Sequence, residues 1–378
     1  MIKRLGDICT FVGGGTPSKK NPNFYNGSIP WATVRDMNVR VIKTTEHSIT
    51  PDAVQQSATN IIPKGEVVIS THVGLGKVCF LGQDTAINQD LKAVIPNGGL
   101  SRRYLYYWFT SKADELIANG KGATVKGVTL DFVKNLKIQV LPARDQEVVS
   151  DTLDKVNHII ELADAQVSRL NQLVKSQFVE MFGDLVINNR GWKFSPLGKV
   201  CDVRDGTHAS PKYHTHGYPL MTSKNFTDGC EDFSDVKLIS KEDFDEINKR
   251  SRVDLGDIVM PMIGTIGNPV IITTDREFAI KNVSLIKFTN GSPNNVFVKA
   301  VLLSQYFQRV VEERNRGNTQ KFIALGDIRG FLFPLPPLAL QREFAAFVAK
   351  VDKLAFAARQ RRDTARKLYR AKIQEFFG

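Results

Sequence analysis

Five stretches of this sequence carry residue types that could support catalysis or bind a metal. Phe11-Val12-Gly13-Gly14-Gly15 has the aromatic-and-glycine spacing of a loop that cradles S-adenosylmethionine, and Asn21-Pro22-Asn23-Phe24 is one residue away from the box that holds a flipped adenine in amino-methyltransferases. In such enzymes strands and helices separate the two motifs, whereas here only a few residues intervene, and no strand with a following helix frames the glycines. Gly74-Leu75-Gly76-Lys77-Val78 ends like a phosphate loop but lacks its first glycine and the Ser or Thr after the lysine. Asp84 with Asp90-Leu91-Lys92 has the acids and base of a nuclease cluster without a well-placed third acid. His208, His214 and His216 crowd one segment and have the donor chemistry of a metal site, but the matching segment of the other half has no counterpart. No Ser/His/Asp or Cys/His arrangement is legible. The expectation is a chain with no catalytic residues, no metal and no cofactor of its own.

The elements that would position any site come in two copies. Residues 141–183 and 336–378 align without a gap at an offset of 195, so that Pro142/Pro337, Gln146/Gln341, Lys155/Lys350, Leu173/Leu368, Phe182/Phe377 and Gly183/Gly378 coincide. The same offset places Gly122, Thr124, Lys126 and Leu130 on Gly317, Thr319, Lys321 and Leu325. Further upstream the match is looser but in unbroken order: Leu5-Gly6 and Cys9 with Leu197-Gly198 and Cys201, Ile29-Pro30-Trp31 with Tyr218-Pro219-Leu220, Lys64-Gly65-Glu66 with Leu255-Gly256-Asp257. The organisation is a globular unit (residues 1–140), a long helix (141–184), a second globular unit (185–337) and a second long helix (338–378).

Val149, Leu153, Val156, Ile160, Ala163, Val167, Leu170 and Val174 alternate spacings of four and three, the seam of a coiled coil. The second copy offers Phe344, Phe347, Val351, Leu354, Ala358, Ala365 and Leu368. Some 38 helical residues would run about 57 Å. The first segment holds four basic and eight acidic side chains, the second ten and four, so the two helices suit each other as partners. Within one chain that pairing must be antiparallel; the alternative is that each helix docks separately on its own globule. Each globular unit reads as mixed α/β, with strands at 65–70, 77–81 and 93–95 and one amphipathic helix over 102–118, matched by 296–313. The aromatics of that helix (Tyr104, Tyr106, Tyr107, Trp108, Phe109) have the chemistry of a base-stacking platform but read better as core.

Composition bounds the function. Of 378 residues, 51 are Lys or Arg against 39 Asp or Glu, a net charge of +12 that points to a polyanionic partner. Cys9, Cys79, Cys201 and Cys230 lie far apart with no CxxC pair, which excludes a disulfide framework or a cysteine-based zinc finger. The N-terminal run lacks an apolar core long enough for a signal peptide, and the apolar stretch at 258–272 is broken by Pro and Gly, so a cytoplasmic protein without membrane spans is expected.

A duplicated globule-plus-helix chain with these residues resembles the specificity (S) subunits of type I restriction–modification systems. The resemblance rests on the helix starts LPARDQE and LPPLALQREF, the terminal FG of each helix, the IPW segment, and the runs KGEVVIS…GLGKV and LGDIVM…GTIGNP. It covers essentially the whole chain. It implies an α+β fold of two target recognition domains, separated by two long helices that form an antiparallel coiled coil with a pseudo-two-fold repeat. It also implies a non-catalytic subunit that reads a bipartite, asymmetric duplex DNA target. Two adenine-methyltransferase subunits and motor–nuclease subunits would assemble on it, with S-adenosylmethionine, ATP and Mg on those partners only. The alternative class is a non-catalytic scaffold, or the recognition subunit of another DNA-defence methyltransferase system.

For DNA contact the first unit offers Lys19, Lys20, Arg35, Lys77, Lys121 and Lys126; the second offers His208, Lys212, His214, His216, Lys224, Arg314, Arg316 and Lys321. Arg35/Lys224 and Lys126/Lys321 are matched positions that keep a positive charge, as phosphate contacts require, whereas the unmatched His-rich segment suits base readout.

Overall fold

The computed structural model describes residues 1–122, 127–227, 229–263, 266–315 and 322–378. Two compact units emerge: residues 1–164 with 359–378, and residues 165–358.

In the first unit the central sheet runs in the order Cys9–Gly13, Leu91–Pro96, Val67–Ser70, Val78–Leu81, Val41–Ile42. All neighbours are antiparallel except the last pair. A second sheet places Ile29–Ala32 between His47–Ile49, antiparallel, and Thr85–Ile87, parallel, with Ile61–Ile62 beyond. Among the described residues the second unit repeats this plan without counterparts of the edge strands Val41–Ile42 and Ile61–Ile62. Asp202–Asp205, Val283–Lys287, Ile258–Pro261 and Val270–Ile271 form one sheet, and Tyr218–Met221 lies between Lys237–Ile239, antiparallel, and Ala279–Ile280, parallel.

Strand periodicity explains why the central strands are apolar on both faces. Val67 and Ile69 point into one core with Tyr104 and Leu105, while Val68 points into another with Ala32 and Ile42. In the second unit Ile258 and Met260 share a core with Phe297, and Val259 packs with Met221 and Val270 on the opposite face. A sheet covered on both sides must read as a continuous apolar run.

The helix expected over 102–118 is two helices, Arg102–Ser111 and Ala113–Ala118; its counterpart is Asn295–Leu302 followed by Gln305–Arg314. A matched serine marks both breaks. Ser111 Oγ donates to the Trp108 carbonyl at 2.7 Å and Ser304 Oγ to the Val301 carbonyl at 2.6 Å, competing with the backbone ladder where a new helix starts. Tyr104, Tyr106, Tyr107, Trp108 and Phe109 are all buried, so they serve as core and not as a stacking platform.

The long helices span Ala143–Phe182 and Leu338–Phe377. The start of the first and the end of the second belong to the first unit. There Arg362 and Arg366 reach Asp164 at 3.3 and 3.4 Å, and Tyr369, Ile373 and Phe377 close over the Tyr104–Leu153 core. The end of the first and the start of the second belong to the second unit, where Phe178 and Phe182 meet Phe344 edge to face, with ring centroids 5.6 and 5.5 Å away. The pairing is antiparallel, and separate docking is excluded. Gly183, with φ +76°, ends the first helix in the left-handed conformation that glycine adopts without strain.

The seam of the first helix follows the heptad. That of the second differs at two positions: Leu354 and Leu368 are 55% and 45% exposed, while Ala355, at 1%, and Tyr369 face inward. The inner stripe is Val351, Ala355, Ala358, Arg362, Ala365 and Tyr369. Alanines let the helix approach its neighbour closely, and the exposed leucines lie one residue out of phase.

Candidate nucleic-acid interface

Each unit carries its candidate ligand-facing side chains on loops at the edge of the same frame. In the first unit the loop after Cys9–Gly13 crosses the loop after Thr85–Ile87. Gly14 is pressed against that second loop, so that a Cβ there would lie 2.2 Å from the Ile87 carbonyl oxygen, and Gly15 N donates to that oxygen at 3.0 Å. In the second unit a Cβ on Gly206 would lie 2.4 Å from the Ile280 carbonyl oxygen, which accepts from Thr207 N at 2.9 Å. The glycine run that resembles a cofactor loop thus has a packing role: the crossing has no room for a side chain. The next element along the first unit is the 3-10 turn Pro22–Tyr25, where a cofactor loop would lead into a helix.

Past the crossing the two units diverge. In the first, the Thr16 hydroxyl donates to Gln89 Oε1, and Lys92 Nζ donates to the Gln89 carbonyl at 2.8 Å. Partial burial holds the Lys92 ammonium below the usual lysine range, with Asp90 opposing. In the second, His208 Nδ1 stands 2.9 Å from Asn282 Oδ1, and His208 Nε2 donates to Asp205 Oδ2 at 2.9 Å. Asp205 is buried, and its other oxygen is paired with the Arg250 guanidinium. Lys281 Nζ donates to Ser210 Oγ at 2.8 Å. Sequence reasoning missed Thr16, Gln89 and Asn282, which lie 73 or 74 residues from their partners along the chain, and Asp205, three residues before His208. The available signal was the matched pair of short loops after Ala86-Ile87 and Ala279-Ile280.

The sequence-derived candidates fall into three groups. Lys19, Lys20, Lys121, Lys212, His214, His216 and Lys224 have exposed side chains. Lys19 and Lys20 continue the loop that bears Thr16, while Lys212, His214 and His216 continue the one that bears His208. His214 is anchored through its backbone, N to the Leu238 carbonyl at 2.9 Å. Four candidates are engaged within the protein: His208 with Asp205 and Asn282, Arg35 with Glu46 at 3.3 Å, Lys77 Nζ with Asn38 Oδ1 at 2.7 Å, and Arg314 with Asp327 at 2.9 Å. Lys126, Arg316 and Lys321 lie outside the described residues. Arg35 and Lys224 do occupy the same place in the two frames. Each rides a 3-10 turn opened by Thr33 or Thr222, whose backbone N donates to Asp36 Oδ2 at 2.8 Å or Asn225 Oδ1 at 2.9 Å.

The histidines do not converge: His208 is held by Asp205 and Asn282, and among the described residues no group of three or more His, Cys, Asp or Glu is placed to hold a metal. Burial pushes the Cys9, Cys79 and Cys201 thiols up to about 12, so they are inert core residues. Among the described residues no helix is long and apolar enough to cross a membrane.

Two copies of one mixed α/β frame, each ending in loops rich in hydrogen-bonding and cationic side chains and tied to a pair of antiparallel helices, define a duplicated, two-headed recognition protein. The chain belongs to the specificity subunits of type I restriction–modification systems: the type I restriction modification DNA specificity domain matches residues 1–172 and again residues 189–364. The MjaIX specificity subunit of Methanocaldococcus jannaschii is 23% identical over 377 residues, covering 92% of this chain and 85% of that one. The EcoR124I/EcoR124II specificity subunit of Escherichia coli is 31% identical over 193 residues, 49% of this chain and 48% of its own. The fold is shared with the type I restriction–modification S subunit of M. genitalium, at TM-score 0.59 and 13% identity over 100% of this chain and 96% of that one. A second solved chain, from work on complex assembly and conformational transition of the type I system, matches at TM-score 0.54 and 18% identity, covering 100% and 97%.

Proposed function

We propose that each unit reads one half of a bipartite, asymmetric duplex DNA target, and that the paired helices set the unread gap and carry the partner subunits. The observation that carries this reading is the contrast between frame and loops. The order of the shared strands and the glycine crossing are the same in both units, while the side chains beyond the crossing differ. One frame holding two different loop sets suits two different half-sites. The exposed lysines on those loops supply the phosphate contacts that position a duplex, and the uncharged polar groups among them suit base edges. Methylation of adenine, strand translocation and cleavage belong on this reading to two methyltransferase subunits and to motor–nuclease subunits. S-adenosylmethionine, ATP and Mg would be theirs, and the chain itself non-catalytic and cytoplasmic.

The test is to express the chain with its methyltransferase subunit and sequence the methylated sites. The expected result is a single motif of two unlike halves around a fixed gap. Methylation without any motif would make the chain a scaffold instead.

A further inference from the structure

Resting on that DNA-reading role, we infer that one crossed-loop pair in each unit, Thr16–Gln89 in the first and His208–Asn282 in the second, is a base-reading head. The four residues occupy matched places. Gly14 and Gly206 make the same crossing, Ile87 and Ile280 accept the same backbone hydrogen bond, and Gln89 and Asn282 both stand two residues past that isoleucine. The frame up to this point is held strictly, yet neither Thr16/His208 nor Gln89/Asn282 keeps its identity. That is the pattern of a variable tip on a fixed mount.

The chemistry fits a base edge. A carboxamide presents an acceptor and a donor side by side, the arrangement that pairs with N6 and N7 of adenine in the major groove. In the first unit the Thr16 hydroxyl occupies one lone pair of Gln89 Oε1, which fixes the amide orientation and leaves the other lone pair and the Nε2 hydrogens outward. The Gln89 side chain is exposed. In the second unit the mount is more elaborate. A carboxylate only accepts, so His208 Nε2–H donates to the buried Asp205, and the ring's Nδ1 is then set against the Asn282 amide. Asn282 itself holds φ +56°, a left-handed conformation that few non-glycine residues adopt. Backbone held in this way is commonly stored at ligand-contacting positions. The first unit has Gly13 where the second has Asp205, and the short Thr16 side chain needs no such brace.

The experiment uses the assembled complex with the methyltransferase subunit and a duplex pool randomised across the target. Gln89→Ala should lower discrimination at one base pair of one half-site by about 10- to 100-fold and leave the other half-site untouched; Asn282→Ala should do the same in the other half. Gln89→Glu, which keeps the shape but only accepts, should shift the preferred base at that position from adenine toward cytosine. Thr16→Ser should retain the wild-type preference and Thr16→Ala should lose part of it. An equal loss of affinity on every sequence, or an unchanged preference in both alanine variants, would overturn the inference and make the pairs mere loop latches. If the wild-type complex itself shows no sequence preference, the DNA-reading role fails, and the inference falls with it.

Discussion

Both units hold their helices through apolar side chains, but the first adds an ionic cluster that the second lacks among the described residues. In the first, Asp154 on the long helix takes the Tyr107 hydroxyl and the Arg40 and Arg103 guanidiniums, and Arg40 lies 5.5 Å over both the Tyr106 and Tyr107 rings. In the second, the position matching Asp154 is Ala349, and the grip is a dry stack of Phe178, Phe182, Phe297, Phe333 and Phe344. A buried glutamine is common to both. Gln146 accepts from Ser101 N and donates to the Gly99 and Leu141 carbonyls, each at 2.8 Å. Gln341 accepts from Asn294 N at 2.9 Å and donates to the Pro336 carbonyl at 2.8 Å. The polar clamp is therefore shared by the two units, while the contacts around it differ.

The largest expected effect separates the two grips. Phe344→Ala should cost about 3–5 kcal/mol, because it removes the ring at the centre of a fully buried cluster. Hydrogen exchange should show the loss in residues 165–358 and leave the first unit protected.

Next come the glutamines. Gln146→Ala and Gln341→Ala each remove a buried amide and leave its backbone partners unpaired, and each should cost about 2 kcal/mol in denaturant unfolding. The two costs should be similar, since the clamp is the shared feature; a large effect in one half only would break the comparison.

Of the two grips, acid should act on the ionic one. Burial raises the Asp154 pKa, but the Tyr107 hydroxyl and the Arg40 and Arg103 guanidiniums outweigh it and hold the group below the usual carboxylate range. Its contribution is thus complete above the unfolded carboxylate pKa of about 3.9 and is lost as pH falls through the folded value. Unit-resolved hydrogen exchange should show the first unit loosening below about pH 4, and in Asp154→Asn that component of the acid response should be missing.

The smallest effect tests the seam. Leu354→Ala, on the exposed face, should change stability by less than about 0.5 kcal/mol. Ala355→Leu, one residue on, should cost about 1–3 kcal/mol by overpacking the helix pair.

That last contrast marks where sequence reasoning stopped. The repeat, the long helices and the central strands were legible because each is a periodic apolar pattern. The seam of the second helix was misphased because its inner residues are alanines, while Leu354 and Leu368 carry the stronger apolar signal outward. The helix breaks at Ser111 and Ser304 were hidden because a serine hydroxyl competes with the ladder only locally. Exposed cations such as Lys19 and Lys212 could be named from charge alone. The pairs Thr16–Gln89 and His208–Asn282 could not, because their members meet only through the glycine crossing.

The central claim is that one frame, used twice, reads two sequences independently. Replacing residues 190–335 with the corresponding unit of a relative, and sequencing the methylated sites made with the partner subunit, tests it most directly. The account predicts a motif in which one half-site changes while the other half-site and the gap are kept. A change in both halves would contradict it.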